Sequence, residues 1–186
     1  MNVFIAMLRG INVSGQKLIK MESLRKSMET IGFTDVATYI QSGNIVFRSK
    51  EKDSEIVANL IADTIKTEYG FDVPVIVLTL NKLQKIVHNN PFPIEVVESP
   101  AAVYISYLFS EPEKVDMATI EINKQVDEQF LLIGAAFYLY CPSGYGNTKI
   151  SNTLLEKKLK VSATTRNWKT SLKLVELAHE LQQKYS

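Results

Sequence analysis

The feature that most limits what this chain can fold into is the order in which strand-like and helix-like apolar patterns follow one another. Residues 3–8 form a short apolar run ended by Arg9-Gly10, which predicts a buried strand. Met21, Leu24, Met28 and Ile31 then share one helical face, and Gly32 stops that helix. Residues 36–40 and 45–47 are joined by Gln41-Ser42-Gly43-Asn44, where Gly43 supplies the positive φ of a tight hairpin. Asp53 predicts the cap of a second helix with Ile56, Val57, Leu60, Ile61 and Ile65 as its buried stripe, closed by Gly70. Residues 73–78 follow as a strand, with Pro74 near its start, where a missing N–H is tolerated. The order is β-α-β-β-α-β.

A short helix, residues 81–88, and the stretch Asn89-Asn90-Pro91-Phe92-Pro93 mark a boundary, because prolines so close together cannot continue regular structure. The pattern then recurs. Residues 102–108 predict a strand, Pro112 opens a helix through residue 120, and residues 130–133 and 137–141 form a hairpin around Gly134-Ala135. Thr153-Leu154-Leu155-Glu156 has the form of a capping box, residues 161–165 a last strand, and a final helix starts near Trp168. The two hairpins lie about 90 residues apart. The expected fold is therefore α+β: a tandem duplication of two ferredoxin-like (βαββαβ) units with an extra C-terminal helix. Its lobes would cover residues 1–80 and 101–186, with residues 81–100 as connection, in one two-lobed body.

Composition excludes several classes of function. Of 186 residues, 21 are Lys or Arg and 20 Asp or Glu, so the net charge of +1 supplies no global field toward nucleic acid or anionic membrane. An anion site must be local. The longest apolar runs fall short of the roughly 20 residues that span a bilayer, so no membrane partner is expected. Met1-Asn2-Val3-Phe4-Ile5 reads as a first strand and not a signal peptide. The single cysteine, Cys141, agrees with a reducing cytoplasm, and the expected localisation is cytoplasmic.

Polar residues collect at strand ends. In a split βαβ unit the first strand's exit and the hairpin turn share one end of the sheet, which puts Arg9 and Asn12 beside Gln41 and Asn44. In the second unit the turn 142–149, with Lys149, shares a sheet end with Thr164-Thr165-Arg166-Asn167. If these ends face each other, the loops line one cleft. The ligand-binding candidates are thus Arg9, Asn12, Gln41, Asn44, Lys149, Arg166 and Asn167. The opposing reading is structural: Arg9 pairs with a carboxylate, the glycines only let the chain turn, and Asn167 or Thr165 caps the last helix.

Gly10 and Gly15 have the separation of a phosphate loop, but Gln16 stands where its Lys belongs, and Leu18 follows Lys17 where a metal-binding hydroxyl would be needed. His88 and His179 are far apart, and with one Cys they suggest no zinc site. Cys141 reads as a small buried hydrophobe. Neither Ile45-Val46-Phe47-Arg48 nor Phe137-Tyr138-Leu139-Tyr140 has the basic-glycine-aromatic pattern of an RNA-binding strand. No cofactor and no metal are expected.

Leu8-Arg9-Gly10-Ile11-Asn12-Val13, Thr38-Tyr39-Ile40-Gln41-Ser42-Gly43-Asn44, Gly144-Tyr145-Gly146 with Lys149, and Ala163-Thr164-Thr165-Arg166-Asn167-Trp168 resemble signature blocks of the bacterial DUF1697 family. Ser14 stands where that family would have glycine. The resemblance implies the duplicated ferredoxin-like architecture and no established activity. The leading expectation is a binding protein for an anionic, phosphate- or carboxylate-bearing small molecule. An enzyme acting on such a metabolite, using Tyr39, Tyr145 or Lys17, is one alternative. A nucleic-acid or protein interaction module is the other, with nucleic acid less favoured.

Overall fold

The computed structural model describes residues 1–92 and 100–185. The predicted proline-bearing connection therefore lies partly, from Pro93 on, outside the described residues. The first unit runs β1 (Asn2–Leu8), α1 (Met21–Thr30), β2 (Thr34–Tyr39), β3 (Asn44–Ser49), α2 (Ser54–Tyr69) and β4 (Val75–Thr79), followed by α3 (Leu80–His88). The second runs β5 (Val103–Leu108), α4 (Met117–Asn123), β6 (Gln129–Ile133), β7 (Ala136–Tyr140), α5 (Asn152–Leu159) and β8 (Ala163–Asn167), and then α6 (Trp168–Gln183). The strand orders are β2-β3-β1-β4 and β6-β7-β5-β8, with all pairings antiparallel. This is the ferredoxin-like arrangement, present in both halves.

The chain divides into compact units that differ from the simple halves. Residues Met1–Lys85 form the first unit together with the chain from Lys173 on, and Ile86–Leu172 form the second. Pattern reading assigns all of α6 to the second half, because periodicity along a helix carries no information about which sheet it serves.

Alternation along the strands builds the cores. Phe4, Ala6 and Leu8 of β1 and Ile45 and Phe47 of β3 face α1 and α2, where they meet Leu24, Met28, Val57, Ile61 and Ile65. Phe47 stacks on Phe33 with ring centroids 4.4 Å apart. In the second unit Leu108, Phe137, Leu139 and Ala163 face Ile120, Leu155 and Leu159.

Helix ends follow local chemistry, with instructive exceptions. Asp53 caps α2 by accepting from the N–H groups of Glu55 and Ile56, and Gly70 ends it at φ 73°. For α5 the cap is Ser151, whose hydroxyl accepts from Leu154 N, and not Thr153, which lies inside the helix. Glu156 is drawn elsewhere, accepting from Ala163 N. The helix expected from Pro112 starts at Met117 instead, because Asp116 caps it through Thr119 N. Strand β8 ends at Asn167 and not at Thr165, since Tyr104 of β5 extends the ladder to it.

The β2–β3 turn leaves little room for change. Gly43 has φ 75°, and a Cβ there would sit 2.8 Å from both Leu8 Cβ and Ile11 Cδ1. Gly43→Ala is expected to cost about 2 kcal/mol or more, the sum of left-handed strain and a clash with buried neighbours. Urea unfolding of the variant measures the loss.

Candidate functional site

In the first unit the two sequence-predicted loops do meet at one sheet end. Leu8 N donates to Gly43 O at 2.8 Å, and Met7 lies opposite Asn44 in the β1–β3 register. The loop after β1 closes on itself through Asn12 N to Lys17 O at 3.2 Å and Gln16 N to Val13 O at 2.9 Å. Asn12, at φ 54°, binds the strands' connections together. Its Nδ2 donates to Ile19 O and Gln41 O, each at 2.9 Å, while its Oδ1 accepts from Ile19 N at 2.8 Å. Asn44 is fully buried, donating to Tyr39 O and Ser42 Oγ at 3.0 Å. Lys17 Nζ donates to Asp72 O. A phosphate loop presents its N–H groups outward; here those of Asn12 and Gln16 are spent on the loop's own carbonyls. Arg9 is half-buried and Gln41 is exposed.

The second unit separates residues that are adjacent in sequence. Thr165 and Asn167 lie opposite Ser106 and Tyr104 on the face that carries α4 and α5. Thr165 Oγ1 donates to Asn152 Oδ1 at 2.7 Å, accepts from Tyr145 Oη at 3.1 Å and lies 2.6 Å from Ser106 Oγ. The Tyr145 ring packs 5.1 Å from that of Tyr104. Arg166 points to the opposite face, because successive strand residues alternate. It is 7% exposed, and its Nη1 donates to Thr164 Oγ1 and Thr165 O at 2.9 Å. Burial lowers its pKa to about 10, so it stays a cation at neutral pH. Asn167 caps α6, its Oδ1 accepting from Thr170 N at 2.8 Å. Lys149 is exposed.

Other candidates fall into structural roles. Cys141 is fully buried, and desolvation, reinforced by Glu128 and Asp127, pushes its thiol up to about 12. It is therefore a protonated thiol at neutral pH, unsuited to nucleophilic attack. Phe47, Phe137 and Tyr138 are buried, so they offer no stacking platform on β3 or β7. Tyr107 Oη donates to Ser171 Oγ at 2.8 Å, and burial raises its pKa. Among the described residues no group of three or more His, Cys, Asp or Glu side chains is placed to hold a metal ion, and no helix is long and apolar enough to cross a membrane.

A different part of the first unit is concave. A hollow of about 490 Å³ is bordered by Asn2, Arg48, Lys52, Asn81, Gln182 and Tyr185, and no carboxylate is among its lining residues. Arg48 is held in place on two sides. Its Nη1 lies 3.3 Å from Asp35 Oδ2, and its Cζ stacks 3.6 Å from the Tyr185 ring centroid. Tyr185 Oη donates to Asp35 Oδ1 at 2.7 Å and Lys184 Nζ lies 3.0 Å from the same oxygen. The sequence-based candidates omit Arg48, although a cation following Ile45-Val46-Phe47 is a visible signal. Lys52 and Tyr185 carry no such mark.

Two βαββαβ sheets define this chain as an α+β protein of two ferredoxin-like units. A solved structure, the conserved bacterial protein SP0830 from Streptococcus pneumoniae, shares the fold with a TM-score of 0.70 at 24% identity, over 95% of this chain and 98% of that one. A search of curated proteins found no match. The family model described as protein of unknown function (DUF1697) matches residues 1–138, and the chain belongs to that family.

Hydrogen bonds from Tyr185 and Lys184, the leading causes, hold the Asp35 carboxyl below its ordinary value of 3.8. A depressed carboxylate stabilises the fold fully above its unfolded pKa and loses that contribution as pH falls through the folded value. Attachment of residues 184–185 is therefore expected to loosen only below about pH 4. In NMR titrations the Tyr185 ring signals should shift in that acid range, and Asp35→Asn should abolish the shift.

Proposed function

We propose that the protein binds an anionic small molecule bearing phosphate or carboxylate, with Arg48 and Lys52 as its charged contacts. The observation that carries this reading is the concavity of the first unit: two cations and several amides border it, with no carboxylate among its lining residues. Asp35 and Tyr185 fix the Arg48 guanidinium before any ligand arrives, which reduces the ordering cost of binding. Guanidinium matches the two oxygens of a carboxylate or phosphate in a planar fork, and Lys52 adds a point charge. Asn2 and Asn81 supply neutral donors.

This reading keeps the anion chemistry expected from the sequence and moves its cations. Arg166 is buried and bonded to its own strand, and the amides of Asn12, Asn44 and Asn167 hold backbone groups. Gln41 and Lys149 are exposed in their loops, and Arg9 is half-buried at the exit of β1.

Thermal melts with inorganic phosphate and with citrate test it. A ligand at a hundredfold excess over Kd stabilises by about 2.7 kcal/mol. For a chain of this size that raises Tm by roughly 5–10 °C. The rise should saturate and should be lost in the double variant Arg48→Gln, Lys52→Gln. No saturable rise with either anion, or an equal rise in the variant, overturns the proposal.

A further inference from the structure

In the second unit, the end of α5 and the turn before α4 border a separate hollow of about 290 Å³, lined by Lys114, Val115, Asp116, Lys157, Lys158 and Lys160. Four of its six lining residues are lysines. Two of them have a simple local explanation: Lys157 and Lys158 lie in the last turn of α5, where cations complement the helix dipole. Lys114 does not. It arrives from a different segment and converges on the same hollow. Lys160 is set by backbone geometry, since it ends α5 in the left-handed region at φ 59° with its N–H on Glu156 O.

The one carboxylate present is already engaged. Asp116 accepts from Thr119 N and Thr119 Oγ1, and its Oδ2 lies 3.1 Å from Lys158 Nζ. Among the described residues Lys114, Lys157 and Lys160 have no carboxylate partner. The hollow thus carries a net charge of +3 in a chain whose total is +1, leaving −2 for all the rest. Charge concentrated this way raises the local concentration of anions without making the whole surface adhesive.

We infer that this hollow binds an oligophosphate: two or more linked phosphates, either free or as the tail of a nucleotide. A single phosphate would meet at most part of the cation set, whereas a chain of phosphates can address lysines from both segments at once. Lysine suits this role because its ammonium is a mobile point charge that follows phosphate oxygens without fixed geometry. The lining residues include no aromatic to stack a base, so the phosphates carry the recognition.

Isothermal titration with tripolyphosphate, ATP and AMP tests the inference, using the Arg48→Gln, Lys52→Gln protein so that the hollow of the first unit does not contribute. Tripolyphosphate and ATP should both bind, AMP at least tenfold more weakly. Affinity should fall roughly tenfold between 50 and 300 mM salt, as exposed charges are screened. Lys157→Gln, Lys160→Gln should weaken tripolyphosphate at least tenfold, and Lys114→Gln alone, in the other segment, should weaken it severalfold. Equal affinity for tripolyphosphate and ATP assigns recognition to the phosphates alone, and tighter ATP adds a nucleoside to the same phosphate contacts. Absence of binding by both, AMP binding as tightly as ATP, or affinity unchanged in the lysine variants overturns it.

Discussion

Each sheet depends on its inner strands, which are paired on both sides. β1 lies between β3 and β4, and β5 lies between β7 and β8, so both edges of each central strand are committed to ladder hydrogen bonds. With its backbone spent, such a strand can vary only by what its side chains place on the two faces. The period of two then governs everything built on its neighbours. It sends Phe4, Ala6 and Leu8 toward α1 and α2, and it puts Thr165 and Arg166 on opposite sides of one sheet.

That same constraint explains how far the sequence could be read. Asp53 and Gly70 stand at helix ends as residue chemistry alone predicts, and the element order of both units follows from apolar periodicity. Asn12 and Asn44 were visible as polar residues in the right loops, but not their assignment: a carboxamide that could face a ligand can equally bind two carbonyls, and only the approach of Ile19, Gln41 and Tyr39 decides. Arg166 illustrates the limit more sharply. Two more residues of pairing with β5 turn a loop cation into a buried strand residue, and that extension comes from a partner some 60 positions earlier in the chain.

The concave features were less legible for a related reason. Asn2, Arg48, Asn81 and Tyr185 border one hollow while coming from four elements or chain ends. No spacing rule connects them. The lysines at the end of α5 are close in sequence, yet a basic helix end is ordinary; Lys114 gives the group its meaning, and it comes from another segment. Local chemistry is written in the sequence, whereas concavity is a property of tertiary assembly.

The division of the chain bears on how it is made. The first unit draws on residues 1–85 and again on residues from Lys173 onward, with the whole of the second unit encoded between them. During synthesis on a ribosome the first sheet can pair as soon as β4 has emerged. Its share of α6, including the fully buried Leu174 and Ala178, arrives only after about 90 further residues have been translated. Through that interval the nascent first unit is incomplete. The second unit, continuous in sequence, is in a position to finish folding before the first.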